Sequence, residues 1–283
     1  MQIEILGSGG AFTTPRPGCD CETCSQAREK GHPYARTGPS IFVHGADILF
    51  DTPEEIAFQL NRSRIKNIQA CFYSHWHPDH TMGRRIWEMN FDLRSWPPSH
   101  RQTNIYIPQQ VASDFQTYLG TWDHLQHFEQ MGLVKMKVLS DDEIVEIGKT
   151  KIHLLRLQQD YVYAFLLEEN EKKVLIIMDE LLGWNPSDDV KGVDLAVIPM
   201  GIPEFDPFSG ERWIPEDHIV LKTEITYNQT LEIVKELGAK QVVMHHIEEP
   251  SGITYSNSIK LEYLLQKDGL NISFAYDAMC INV

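Results

Sequence analysis

An α/β fold is predicted by three features of the sequence. Apolar runs of strand length recur from one end of the chain to the other, amphipathic helical patterns separate several of them, and no compositional break interrupts the series. Residues 2–6 alternate as a strand and run into Gly7-Ser8-Gly9-Gly10, a turn in which glycine takes backbone angles closed to other residues. No lysine follows and no helical pattern opens there, so this is not a phosphate-cradling loop. A loop through Pro15, Pro17 and Gly18 leads to Cys19-Asp20-Cys21-Glu22-Thr23-Cys24. Ser40–Val43 and Ile48–Phe50 read as a hairpin, Pro53 with Glu54 and Glu55 opens a helix to Arg62, and Ile68–Tyr73 reads as a buried strand.

Further on, 83–90 and Gln109–Leu119 read as helices, Asn104–Ile107 as a strand, and Ser95–Thr103 as a loop. Val134–Val138, Ile144–Ile147, Lys151–Leu157, Tyr161–Glu168 and Lys173–Met178 read as successive strands. Asp194–Pro199 and Gln241–Met244 are two more, with a helix over Asn228–Leu237, closed by Gly238, between them. A helix over Ser256–Lys267 and strands over Ile272–Ala275 and Met279–Ile281 complete the chain. With no linker and no repeat, residues 1–283 read as a single domain.

The chemistry is concentrated in Cys71-Phe72-Tyr73-Ser74-His75-Trp76-His77-Pro78-Asp79-His80. Three imidazoles and a carboxylate follow directly on a buried strand, where each buried imidazole would otherwise need its own partner. In an extended segment His75 and His77 share a face, so both can grip one cation. Asp79 and His80, past the turn at Pro78, can reach a second. Neutral imidazole and carboxylate oxygen are donors that zinc and manganese accept.

Composition narrows the alternatives. The formal charge of −15 and the absence of a basic stripe argue against tight binding of long nucleic acid, although bound cations would reverse the local sign for a small phosphorylated substrate. No run approaches the length of a membrane helix, and the N-terminus lacks the basic region and cleavage site of a signal peptide. The expected location is therefore the cytoplasm. In that setting the clustered Cys19, Cys21 and Cys24 argue for metal rather than disulfides, and Cys71 and Cys280 read as buried hydrophobes. Three thiolates hold a structural zinc if a fourth ligand comes from elsewhere.

The His75–His80 motif resembles, position for position, the signature of the metallo-β-lactamase-fold hydrolases. That resemblance implies a four-layer αβ/βα sandwich and two divalent ions, zinc or manganese, at the active site. It places Asp179, just past the strand Lys173–Met178, as the carboxylate bridging both ions, with His75, His77, Asp79, His80 and His246 as the other ligands. With Cys19, Cys21 and Cys24 ahead of the motif, the chain is similar to a smaller group, the phosphodiesterases typified by the phosphoribosyl cyclic phosphate phosphodiesterase of the carbon–phosphorus lyase pathway. In that group the cysteines hold a structural zinc.

Three positions depart from the group. Gln158-Gln159-Asp160 stands where a histidine is expected, with His153 or Asp160 as substitutes. Glu224 replaces the histidine before the last-third helix, with His218 six residues earlier. The late strand reads His245-His246-Ile247-Glu248-Glu249, so His245 rivals His246, and Glu249, His245 or another side chain is left to complete the cysteine site. The expected activity is metal-dependent hydrolysis of a small cyclic or nucleotide phosphodiester. In it Asp79 orients the attacking water, and Glu224 or His218 protonates the leaving oxygen. Two readings compete: a hydrolase of another bond, such as a lactone or thioester, and a binding or accessory protein with an incomplete site. The tRNA-end-processing nucleases share the motif but carry a basic, glycine-rich arm that this chain lacks. A small-molecule substrate, no membrane and a homodimer are the partner expectations.

Overall fold

In the computed structural model, which describes residues 1–283, two seven-stranded sheets face each other with helices over their outer sides. This is the four-layer αβ/βα sandwich that the resemblance implied. The first sheet holds β1 (Gln2–Gly7), β2 (Ser40–His44), β3 (Ile48–Phe50), β4 (Ala70–Phe72), β7 (Thr103–Pro108), β8 (Val134–Leu139) and, at its far edge beside β1, β16 (Met279–Asn282). Strands β5 (Phe91–Asp92) and β6 (Ser99–His100) form a small separate hairpin. The second sheet runs in the order β15 (Ile272–Phe274), β14 (Val242–His245), β13 (Leu195–Pro199), β12 (Lys172–Ile177), β11 (Tyr163–Glu169), β10 (Thr150–Arg156), β9 (Ile144–Ile147).

Both faces of the central strands of the second sheet are buried, and their sequence shows why. Along β11, Tyr163, Phe165 and Leu167 enter the core between the sheets, while Ala164 and Leu166 enter a second core. Val174 and Ile176 alternate with Leu175 and Ile177 in the same way on β12. The inner core closes around Phe50, Phe72 and Phe165, with ring centroids 4.9–5.6 Å apart. The outer core is covered by helices α7 (Tyr227–Leu237) and α8 (Tyr255–Lys267), through Val234, Leu237, Leu261 and Leu265. On the other flank α2 (Ile56–Arg62), α4 (Gln109–Thr117) and α5 (Thr121–Gln130) cover the first sheet. No helix is long and apolar enough to cross a membrane.

Three strand junctions aim at one place. β3, β4 and β7 run parallel, as do β12, β13, β14 and β15. The carboxyl ends of β4, β12 and β14 therefore open toward the same rim of the sandwich, where ligands of open α/β sheets gather.

Several elements differ from the sequence reading. The cysteine segment is not only loop: Cys21 caps helix α1 (Glu22–Lys30), its sulfur accepting from the Cys24 amide. The helix expected over Gln109–Leu119 ends at Thr117, because Leu119 and Gly120 both take left-handed angles (φ 59° and 58°) before α5 begins. Cys280 is exposed rather than buried. The helix expected at 83–90 is a 3-10 helix over Met82–Asn90, preceded by a short α3 (Pro78–Thr81).

Asp277, buried beside β16, clamps the first sheet. It accepts from the Ser8 amide and hydroxyl (both 2.9 Å) and the Thr37 hydroxyl (2.6 Å), and pairs with Arg62 at 3.0 Å. Asp277→Ala leaves a mostly buried guanidinium unpaired, so it is expected to lower unfolding stability by about 3–5 kcal/mol. A urea denaturation midpoint within error of the parent would contradict that role.

Candidate metal centre

Each side chain at the rim is delivered by a strand end. β4 continues through Tyr73 to Ser74 and His75, and the turn at Pro78 opens α3 with Asp79 and His80 in its first turn. Asp179 lies two residues beyond β12 and His246 one residue beyond β14. His75, His77 and Asp179 form one group of donors within 4.8 Å of one another, and Asp79, His80 and His246 form a second. Asp179 spans the two: its Oδ2 stands 3.5 Å from His75 Nε2 and its Oδ1 3.6 Å from His246 Nε2. Asp79 Oδ2 lies 3.2 Å from His80 Nε2 and 3.5 Å from His246 Nε2.

The donor set fits divalent cations. His75, His80 and His246 each have a buried Nε2 with no hydrogen-bond partner, and all three face the same space. Donors lying about 2.0–2.2 Å from a shared zinc stand a little over 3 Å apart, the spacing found here. Charge tells the same story. Burial first, and then the charges of their imidazole neighbours, hold His75 below its usual value and His77 down at about 4, so both are neutral donors at pH 7. Burial would also lower His80 and His246, but Asp79 and Asp51 push His80 well up, and Asp179 and Asp79 push His246 to about 9. Conversely, burial would raise Asp79 and Asp179, and the imidazoles overturn it and hold both carboxylates far below the usual range. Protons thus stand in this centre where cations would take over, and loading it releases them.

Outer partners fix the rings. His80 Nδ1 lies 2.7 Å from Asp51 Oδ2, Ser74 donates its amide and hydroxyl to the same carboxylate, and the Ser74 hydroxyl is 3.0 Å from His75 Nδ1. Gly10 makes room for His246: a Cβ there would stand 2.4 Å from the imidazole carbon Cε1. His246 itself takes a left-handed backbone angle (φ 54°), which turns it away from its neighbour. His245 points the other way, with Nε2 2.7 Å from the Ile177 carbonyl, and burial pushes it down to about 3. The structure therefore places His246, not His245, at the rim.

None of the substitutes for the missing histidine joins the centre. His153 lies on β10 facing Glu168 at 3.5 Å, Asp160 is almost fully exposed, and Gln158 packs toward Gly183. Tyr161 stands there instead, its ring 5.4 Å from that of His77 and 6.1 Å from that of His75. Burial, then the nearby carboxylates, push its phenol up to about 12. Glu224 and His218 line the cavity of about 660 Å³ in front of the centre, beside Asp79, Asp179 and Glu180. The Val220 amide donates to His218 Nδ1 at 3.1 Å, which leaves Nε2 free. Glu180 is pushed up to about 9 by burial, by a proton shared with Glu224 and by the adjoining Asp179 charge.

The cysteine cluster gains its fourth donor from the same late loop. Glu249 Oε1 lies 3.1–3.3 Å from the sulfurs of Cys19, Cys21 and Cys24, while Oε2 pairs with Arg16 at 3.2 Å. Three sulfurs and one oxygen within 4.8 Å of one another are four donors of the kinds that zinc accepts. Sequence reasoning left Glu249 as one of several candidates and passed over Asp51, Tyr161, Glu180 and Gly10, none of which stands in a motif.

A family model described as a beta-lactamase superfamily domain matches residues 46–247. Among solved structures, a diphosphatase of the PhnP family is similar with a TM-score of 0.72 at 20% identity, over 100% of this chain and 97% of that one. Zinc-bound PqqB from Methylobacterium extorquens is similar with a TM-score of 0.72 at 14% identity, over 100% of both chains. Human tRNase Z, short form, follows with a TM-score of 0.61 at 16% identity, over 100% of this chain and 99% of that one. These three likenesses establish the fold alone. An octanoyltransferase of Porphyromonas gingivalis is 25% identical over 162 residues, which are 56% of this chain but 30% of that longer protein.

Two outcomes check the centre. Elemental analysis of the purified protein is expected to give about three equivalents of metal, and Glu249→Ala about two, because a three-sulfur site that has lost its fourth ligand binds weakly. Gly10→Ala is expected to displace His246 and lower metal content at the rim while the three cysteine sulfurs keep theirs. Unchanged content in both variants would contradict the assignment.

Proposed function

Because this chain belongs to the beta-lactamase superfamily, whose fold is hydrolytic and holds divalent metals, we propose that it is a metal-dependent phosphodiesterase acting on a small phosphodiester. The observation that carries the reading is the pair of donor groups joined by Asp179, with three unpartnered imidazole nitrogens turned toward one space. A matched pair of cation positions suits an in-line displacement at phosphorus, in which attacking and leaving oxygens both gain charge. The PhnP-family diphosphatase among the structural neighbours adds weight to phosphorus chemistry, and the three-cysteine cluster adds more.

Divalent ions bound here supply Lewis acidity and bring the pKa of a water toward neutrality. The chain's own residues do the rest. Asp79, at the cavity floor, accepts a hydrogen bond from the attacking water and orients it. As the new P–O bond forms, the bond to the leaving oxygen breaks, and Glu224 or His218 on the cavity wall returns a proton to that oxygen. The products are a phosphomonoester and an alcohol. Pro199, Ile202, Pro203 and Ile225 line the same cavity and keep bulk water from the reacting atoms.

What favours catalysis over a binding role is that each donor group keeps at least three donors in spite of the departures. The expected histidine is replaced, yet His75, His77 and Asp179 still converge on one point without it. Turnover of bis-p-nitrophenyl phosphate by the manganese- or zinc-loaded protein is the test. His77→Ala is expected to reduce it at least about 100-fold, more than losing an outer-shell partner costs. Hydrolysis of lactones or thioesters in place of phosphodiesters would move the activity to another bond, and full metal content with no turnover would leave a binding protein.

A further inference from the structure

The walls of the cavity carry an unequal charge. Besides the candidate metal donors, three acidic side chains line it, Glu180 and Glu224, which share a proton, and Glu248, and no lysine or arginine does. Two arginines next to wall residues are paired with carboxylates: Arg16, 5.9 Å from the Phe12 ring centroid, pairs with Glu249, and Arg212 pairs with Glu204. Lys222 belongs to the same short helix as Val220 but does not line the cavity. His218 is the one imidazole on the wall that is not a candidate metal ligand.

The rest of the wall is apolar. Phe12 and Trp213 stand at it with 47% and 43% of their surface still exposed. Both are tied to the turn that follows the cysteine-site glutamate. The Glu249 amide donates to the Phe12 carbonyl at 2.9 Å, and the Trp213 ring edge stands 4.0 Å from where a Cβ on Gly252 would lie. Large rings held half-bare beside a concave apolar wall mark a place for a flat or apolar group.

From these walls, and resting on the phosphodiesterase reading, we propose that the ester arm retained on phosphorus is uncharged and bears a flat or apolar group that lies against Phe12 and Trp213, and that the cavity excludes substrates with a second phosphate. Divalent cations held by the two donor groups would neutralise a single phosphodiester charge. A second phosphate on the arm would enter a cavity whose wall carries Glu224 and Glu248 and no lysine or arginine, with Arg16 already paired to Glu249, and like charges brought together at a partly dehydrated surface repel. Hydrolysis itself is as described: water supplies the new oxygen on phosphorus, and the alcohol leaves with a proton.

The test compares two substrates that share a leaving group and differ by one phosphate, thymidine 5′-(p-nitrophenyl phosphate) and its 3′-phosphorylated derivative, both with the metal-loaded full chain. The expected kcat/KM is at least about tenfold lower for the 3′-phosphorylated ester. Val220→Lys, which puts a cation on the wall, is expected to narrow that ratio at least about threefold by improving the charged ester. Trp213→Ala is expected to raise KM for the uncharged ester with kcat retained, the sign of lost uniform binding. Equal or faster turnover of the 3′-phosphorylated ester by the parent protein overturns the proposal while leaving the phosphodiesterase reading intact. An unchanged KM in Trp213→Ala overturns the aromatic contact. If neither ester nor bis-p-nitrophenyl phosphate is hydrolysed, the phosphodiesterase reading falls and takes this proposal with it.

Discussion

The geometry of the centre turns on Asp51. This carboxylate ends β3 with a left-handed backbone angle (φ 59°) and is fully buried between the sheets. An unpaired carboxylate in that position would be costly, and the cost is offset by three hydrogen bonds, from the Ser74 amide, the Ser74 hydroxyl and His80 Nδ1. Those bonds also orient the rings. His80 is held by its Nδ1, and His75 by its contact with the Ser74 hydroxyl, so that both Nε2 atoms face the cavity. One buried side chain thus joins the end of β3, the exit from β4 and the start of α3, and without it the histidine motif would have donors but no fixed directions.

A second constraint comes from the other end of the chain. His246 and Glu249 belong to one short turn, yet the first faces the rim and the second faces the cysteines. The turn lies against residues 8–12, with the Ile247 amide donating to the Ser8 carbonyl and the Glu249 amide to the Phe12 carbonyl. Gly10 is the point of closest approach, which explains a glycine there better than the conformational freedom of a turn does. The cysteine cluster accordingly does more than staple α1 to the body. By holding Glu249 it fixes the segment that presents His246 and the Phe12 ring to the cavity.

Legibility in the sequence followed contiguity. The strands were readable because their apolar residues alternate between two cores, and the His75–His80 motif because its donors fall within six residues after a strand. Asp179 and His246 were placed by resemblance to a family, since nothing local distinguishes them from any polar residue past a buried strand. The choice of His246 over its rival His245 rested on that resemblance alone, because the physical difference lies in one left-handed residue. Asp51, Tyr161 and Glu180 were passed over for a related reason: each acts through neighbours distant in the chain. Helix α5 was missed because its start is set by the paired left-handed residues Leu119 and Gly120, and α1 because its cap is a cysteine sulfur rather than a hydroxyl or carboxylate.

The replacement near Gln158 makes the two halves of the centre unlike each other. Counting Asp179 in both, the group around His75 and His77 has three donors, while the group of Asp79, His80 and His246 has four. Beside the first group stands the Tyr161 ring, 5.4 Å from that of His77, and its phenol, pushed up to about 12, stays protonated at neutral pH. A neutral phenol is a poor metal ligand, so Tyr161 adds no fourth donor to the first group. Asymmetry of this kind sets the two positions apart: the four-donor group would hold a cation more firmly than the three-donor group.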